Sequence, residues 1–404
     1  MGLDVSLRHA LAGLNVAQKS MDVVSRNISN TDTPGYTRKV ATQETQVVNG
    51  QSYGVDVTGI QRTIDQYLQK EVLRRNTDVS ALSVTESYLR RVEELHGSPD
   101  AATSLASQIN KLRDGFVKLA DTPDSDLIQR ALINDAETLA QTFNQLSRVI
   151  TDLRNQAHQE IRTALDDLNA NLEIVYDLNK NISAAEGLGI DQPDLEDKRD
   201  LALREIAELA DIQYFRRGNG SYGILTSGGA TLLESTPQSL SLANDTLSST
   251  SYHGLPAGSV PGIMMNGTDV TAEFQGGKIG ALIDLRDNLL PKMEAQLDEL
   301  AQELALRLSM AGVRLFTDAS LTVPADGDAT QVGFASRIRV PDVVKDNPRV
   351  LRDGTGWNPT VDGGGAQLGY DAAAGRFVAI ASNVALTSPP PEPGSVGGAD
   401  PGPA

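Results

Sequence analysis

The sequence predicts a mainly α-helical protein, an elongated bundle of long, heptad-patterned helices carrying small inserted β domains. Three observations lead there. Apolar residues recur at alternating spacings of four and three through the first thirty positions. The stretch from about 125 to 186 contains neither Gly nor Pro. Aromatic residues are scarce, 9 Tyr, 7 Phe and 1 Trp in 404 residues, so cores must be built from Leu, Ile, Val and Ala, which suits helices meeting through narrow seams.

Taken in order, Leu3, Leu7, Ala10, Leu14, Ala17, Met21, Val24 and Ile28 form an a/d seam more than three heptads long. So narrow a stripe, with small Ala10 and Ala17 among its positions, calls for a partner helix close by, since a lone helix gains little from it. Asn27, Ile28, Ser29 and Asn30 lead into Thr33, Pro34, Gly35 and Tyr36, a polar stop followed by a Pro-Gly turn. β-branched residues then run to Val48, Asn49-Gly50 marks a turn, and Tyr53, Val55, Val57 and Ile60 continue as strand. Residues 1–62 thus read as a seam helix with a β extension.

Residues 63–210 and 279–316 read as the helical bundle. Leu68, Val72, Val79, Leu82, Leu89 and Val92 predict one buried face, and Leu105, Ile109, Leu112, Phe116 and Leu119 another. The rod from 125 to 186, carrying Leu132, Leu139, Phe143, Leu146, Ile150, Leu153, Ala157, Ala164, Leu168, Val175 and Ile182, is about 90 Å long at 1.5 Å per residue. Pro193 opens a shorter helix in which Asp194–Lys198 and Asp200–Arg204 stand at i,i+4. Residues 211–278 read as an inserted β domain with a hairpin at Gly218-Asn219-Gly220. A Leu-rich helix over about 282–313 is predicted to kink or restart at Pro291. Residues 317–388 form a second small mixed domain. The last 16, 389–404, hold ten Pro or Gly and predict a disordered tail.

Composition excludes several functions. With 35 basic and 53 acidic side chains the net charge is −18, which argues against nucleic acid and anionic membrane surfaces as partners. The absence of Cys removes disulfides, thiolate metal sites and thiol nucleophiles. No apolar run approaches the ~18 residues of a spanning helix, and the charged N-terminus has no apolar core of a cleaved signal.

No catalytic constellation emerges. Gly218-Asn219-Gly220-Ser221-Tyr222-Gly223 fits G-x-G-x-x-G, yet Ile224-Leu225-Thr226 follows as strand, whereas a dinucleotide site needs a helix there. His9, His96, His158 and His253 are scattered without a second ligand at helical spacing and read as solvated or helix-surface imidazoles. Asp191, Asp194, Glu196, Asp197 and Asp200 straddle a helix start, where acids meet the dipole favourably. Asp326-Gly327-Asp328 is too short for a calcium loop. The expectation is a non-enzymatic protein without catalytic residues, cofactor or metal.

The order helix, Asn27-Ile28-Ser29-Asn30, Thr33-Pro34-Gly35-Tyr36 resembles the N-terminal signature of the flagellar rod, hook and hook-associated axial proteins. Gly54 to Arg62 with Asp65, Pro193 to Asp200, and Gly276 to Leu282 resemble the hook-associated, hook–filament junction members of that family, across about residues 1–315. The resemblance implies a structural subunit that forms a ring of copies between hook and filament. Its implied partners are itself, the hook protein, the next hook-associated junction protein and a type III export apparatus, with export lacking signal cleavage. The family ends with a second heptad helix that pairs with the first. No segment after about residue 313 has that pattern, so the expectation is a truncated or frame-shifted chain, in preference to pairing with a neighbour's helix, and chaperone binding is not carried over. A hook or distal-rod subunit would share residues 27–36 but lack the helix 125–186. A non-flagellar secreted coiled-coil scaffold or adhesin would leave the Thr-Pro-Gly-Tyr turn unexplained.

Overall fold

The computed structural model describes residues 2–48, 51–96, 101, 103–251, 260–325, 327–355, 368–371 and 376–379. In order, the elements are α1 (Gly2–Ser29), β1 (Lys39–Val48), β2 (Gln51–Arg62), α2 (Gln66–His96), α3 (Leu105–Asp121), α4 (Asp126–Glu186) and α5 (Pro193–Leu209). Short strands follow: β3 (Ile212–Arg216), β4 (Tyr222–Thr226), β5 (Thr231–Leu233), β6 (Leu240–Ser241), β7 (Met264–Met265) and β8 (Thr268–Asp269). Then come α6 (Gly277–Asp284), a π-helical turn (Leu285–Leu289), α7 (Leu290–Met310), α8 (Phe334–Arg337), α9 (Asp342–Asp346), α10 (Val350–Asp353), β9 (Leu368–Asp371) and β10 (Arg376–Ala379). The architecture is mainly α with small antiparallel sheets, as the sequence predicts. The tail 389–404 and the Asn49-Gly50 turn lie outside the described residues.

The chain divides into two compact units. The first holds residues 1–90, 153–247 and 251–289. Here β1 and β2 pair as a hairpin with shifts of register at Thr42/Gln43 and Gln46/Val47. The second part of α4 buries Leu153, Ala157, Ala164, Leu168, Val175 and Ile182, the predicted stripe, together with Ile161, Leu165 and Leu172. Sheets β3-β4-β5 and β6-β7-β8 are both antiparallel, and Gly218-Asn219-Gly220 lies in the turn of the β3–β4 hairpin, not at a helix start.

Three asparagines of α4 take hold of this β region in one manner. Asn179, Asn169 and Asn155 each donate from the amide nitrogen to a backbone carbonyl and accept, through the amide oxygen, from the N–H of the same residue. The residues held are Tyr222 (2.8 and 2.9 Å), Leu240 (2.9 and 3.0 Å) and Leu247 (3.0 and 2.7 Å). A carboxamide has the donor–acceptor pair of a peptide group, so each stands in for a residue of a neighbouring strand.

Two predictions for this unit are corrected. On α2, Leu68, Val72, Val79, Leu82 and Leu89 are exposed; of the predicted face Val92 is buried, and the other buried positions are Leu73, Thr77 and Tyr88. Thr77 is hidden because its hydroxyl donates to the Ala207 carbonyl (2.6 Å), and Tyr88 because its hydroxyl reaches Glu160 (3.1 Å). At these two positions burial follows a hydrogen-bond partner on another element. The second correction concerns His158, which is fully buried and hydrogen-bonded rather than solvated; His9 is exposed, and the side chains of His96 and His253 lie outside the described residues.

The second unit holds residues 91–152, 248–250 and 290–404. α3 is capped by Ser104, whose hydroxyl accepts from the Ser107 N–H, and buries Leu112, Phe116 and Leu119 as predicted. The first part of α4 buries Leu132, Leu139, Phe143, Leu146 and Ile150. α7 begins one residue before Pro291, and the irregular turn precedes it at 285–289 rather than at the proline. Pro lacks an N–H and crowds the carbonyl four residues back, so the wider π turn takes up the clash. Asn144 donates to the carbonyls of Ala335 and Ile338, and Asp298 accepts from the N–H groups of Gly333 (2.6 Å) and Ala335 (2.8 Å).

Candidate assembly interface

Helix α1 has two faces with opposite fates. Val16 and Val23, 8 % and 6 % exposed, sit against the hairpin, with Ala12, Ser20 and Asn27 half-buried along the same line. Contact is close enough that a Cβ at Gly54, whose φ is +122°, would lie 2.8 Å from the Ala12 Cβ. The other face presents Leu7 (61 %), Leu14, Met21 (72 %), Val24 and Ile28 (70 %), with Ala10 and Ala17 between them, all open to water. The seam read from the sequence is therefore uncovered in the isolated chain, while its opposite face already has a partner. The side chain of Leu3 lies outside the described residues. A contiguous exposed apolar strip of this kind makes this face the candidate contact surface of the chain.

The turn after α1 fastens the helix to the hairpin. Asn27 Nδ2 donates to the Lys39 carbonyl (2.9 Å), and Asn27 Oδ1 accepts from both the Lys39 N–H (3.0 Å) and the Tyr36 hydroxyl (3.0 Å). Asn30 closes the helix end by donating to the Arg26 carbonyl (2.9 Å), Ser29 donates to the same carbonyl (3.1 Å), and Thr33 donates to Asn30 Oδ1 (3.2 Å). Pro34 lies between these bonds and Gly35, which takes a φ of +80° and packs against Leu201 of α5. Such a backbone suits glycine because it has no Cβ. Ile28 is the one signature residue that belongs to the open face.

The base of the hairpin is in turn tied to α5. Lys39 Nζ stands 2.6 Å from Asp197 and 3.0 Å from Asp194, with the Tyr36 ring 3.6 Å away. Arg62 reaches Glu196 (2.8 Å), Asp197 (3.1 Å) and Asp200 (2.6 Å), and the Thr37 hydroxyl donates to Asp197 (2.5 Å). Burial opposes the charge on Lys39, yet its bonds to Asp197 and Asp194 hold the ammonium above its ordinary value. Burial likewise opposes ionisation of Asp197, and Lys39, Thr37 and Arg62 overcome it, keeping the carboxyl below its ordinary value. Arg199, between these acids in sequence, faces the other way and donates to Asn179 (3.2 Å) and the Gly220 carbonyl (2.7 Å) over the Tyr222 ring.

Asp194 and Asp200, paired in sequence with Lys198 and Arg204, thus turn to Lys39 and Arg62 instead. Lys39, Arg62 and the inward Val16 and Val23 are the residues sequence reasoning missed; the signal for the valines was a second apolar line along α1, offset from the seam. Among the described residues, no group of three or more His, Asp or Glu is placed to hold a metal ion.

The model of the helical domain of flagellar hook-associated protein FlgK matches residues 89–310, more than half of the chain. The chain belongs to the FlgK family of flagellar hook-associated proteins. The model of flagella basal body rod proteins matches residues 7–37, the segment that carries the open seam and the fastening turn. Flagellar hook-associated protein 1 of Salmonella typhimurium is 25 % identical over 313 residues, covering 74 % of this chain and 55 % of the relative. Its namesake from Escherichia coli is 24 % identical over 81 % of this chain and 59 % of the relative, and that from Bacillus subtilis 22 % identical over 76 % and 65 %. The chain spans little more than half the length of the FlgK relatives it matches. The flagellar hook junction protein FlgK from Burkholderia pseudomallei superposes with a TM-score of 0.51 at 23 % identity, over 62 % of this chain and 44 % of that one, a likeness of fold.

Proposed function

We propose that this chain is a structural, non-enzymatic subunit of the bacterial flagellum that assembles at the junction of hook and filament. The observation that carries the reading is the uncovered seam of α1, mounted on a hairpin and aimed away from it. Copies of the chain form a ring by burying Leu7, Leu14, Met21, Val24 and Ile28 against neighbouring helices. Each fully buried aliphatic contributes roughly 1.5–3 kcal/mol, so five together offset a substantial ordering cost. The ring meets the hook protein on one side and the next hook-associated junction protein on the other. Copies reach it outside the cell through the flagellar export apparatus, without signal cleavage. Residues 1–62 serve as the axial piece and the remaining domains as the body of the subunit. Family membership and the rod-type match over residues 7–37 support this reading over an adhesin.

The test places Leu14→Glu and Met21→Glu in the cell's own copy of the protein. Bare hooks without filaments, with the variant still exported and folded, are the expected outcome. Filaments in normal number would overturn the assignment of this face.

A further inference from the structure

The segment Leu240–Leu247 crosses α4 in the opposite direction and, beyond the two residues of β6, has no helix or strand of its own. Side chains of α4 hold it. Asn169 takes both backbone groups of Leu240 and Asn155 both of Leu247, while Gln159 and Arg162 donate to the Asn244 side chain (3.0 and 2.9 Å). Between them, His158 Nε2 lies 2.8 Å from the Ala243 carbonyl. Leu240, Leu242 and Leu247 are buried beneath the crossing.

Of these holders His158 alone belongs to a residue type that ordinarily titrates near neutrality. A carbonyl only accepts, so Nε2 carries the hydrogen and Nδ1 is left as an acceptor. Arg286 Nη1 donates to that Nδ1 at 3.2 Å. Arg286 is itself fixed: it grips Asp287 through two bonds (2.8 and 2.7 Å), donates to the Pro261 carbonyl (3.1 Å), and receives Arg154 Nε at its own carbonyl (3.1 Å). Of the two neighbours Arg286 therefore requires the neutral form, whereas the Ala243 carbonyl accepts from Nε2 whether or not Nδ1 is protonated. A proton on Nδ1 would meet a guanidinium N–H head-on in a fully buried site.

The charged groups around the ring are Arg286 and Asp287 from the π turn, Arg154 and Arg162 from α4, and Asp245 from the crossing segment. Both Asp287 oxygens bond Arg286, and Arg154 donates onward to the Ser251 carbonyl (2.5 Å). Burial above all, then Arg286 and Arg162, keep the imidazole below its ordinary range, with the Ala243 bond and Asp245 working against them.

We propose that His158 is an acid-opened latch on residues 240–247: protonation of Nδ1 sets the ring against the fixed Arg286, and the repulsion displaces the ring from its buried seat, carries Nε2 off Ala243 against the pull of that bond, and loosens the segment from α4. At neutral pH the latch is closed, and in acid the apolar underside carried by Leu240, Leu242 and Leu247 is released.

The Leu240 and Leu247 amide hydrogens, bonded to Asn169 and Asn155, report the state of the latch directly. Their exchange is followed in the full chain from pH 7.5 to 4.5, corrected for intrinsic chemistry, in the wild type and in His158→Gln. Glutamine offers Ala243 an N–H and does not titrate. Wild-type protection is expected to fall up to about tenfold per pH unit below the ordinary imidazole range, and the Gln variant to stay level. Equal loss in both, or no loss in the wild type, would overturn the latch. The His158 ring titration in the wild type, read by NMR, checks the same point without a substitution. Its midpoint should lie below that of a free imidazole and coincide with the amide change; amides that ignore the titration would refute it.

Discussion

Asn27 and Lys39 are joined as two residues of adjacent strands would be. The Asn27 carboxamide donates to the Lys39 carbonyl at 2.9 Å and accepts from the Lys39 N–H at 3.0 Å, although Asn27 sits in a helix. The same oxygen takes the Tyr36 hydroxyl, so one side chain fastens α1, the turn and β1 together. Replacing Asn27 by Ala leaves two backbone groups and a phenol without these partners. We expect a loss of about 1–3 kcal/mol in urea unfolding, and a smaller loss for Tyr36→Phe, which removes only the hydroxyl.

The two faces of α1 should respond oppositely to substitution. Leu14→Glu, on the open face, should change the stability of the isolated chain by no more than about 0.5 kcal/mol. Val16→Ala, two positions on and buried against the hairpin, should cost about 1–2 kcal/mol by loss of packing. Thermal unfolding of the two variants side by side measures the contrast.

Acid should weaken the attachment of the hairpin to α5. The Asp197 carboxyl titrates below its ordinary value in the fold, so its contribution is present above that value, about 3.8, and is lost as pH falls from there through the folded value. Asp197→Asn should therefore flatten the acid limb of a stability–pH curve below about pH 4. At neutral pH, with Lys39 and Arg62 left short of a buried counter-charge, it should cost about 3 kcal/mol.

Asp298 should behave with the opposite sign. Burial pushes its carboxyl up to about 6, against the pull of the Ala335 and Gly333 N–H groups. The folded chain then holds this proton more tightly than the unfolded one, so the site favours folding more as pH falls from about 6 towards 4. Asp298→Asn should remove that slope, seen as the difference between wild-type and variant unfolding curves across this range.

What could be read from the sequence was periodicity, and what could not was pairing at a distance. The helix predicted over 125–186 is observed at Asp126–Glu186 with every named stripe residue buried, because an uninterrupted apolar repeat leaves few other solutions. The open seam of α1 was legible for the same reason. The acids of α5 were recognised as a cluster, but their partners Lys39 and Arg62 lie over 130 residues away in sequence, and nothing local marks them. On α2 two apolar lines compete, and Thr77 and Tyr88 decide between them through hydroxyl bonds to other elements. His158 was misread because a lone imidazole shows its surroundings only once Arg286 and Ala243 are folded against it.

Because Val16, Val23 and Asn27 seat α1 on its own hairpin, in the assembly we propose the exposed strip would arrive already shaped. The conformational freedom of those 28 residues is given up when the chain folds, not when two molecules meet. Docking in that proposal would resemble the closing of two rigid surfaces, leaving a larger part of the apolar gain to slow their separation.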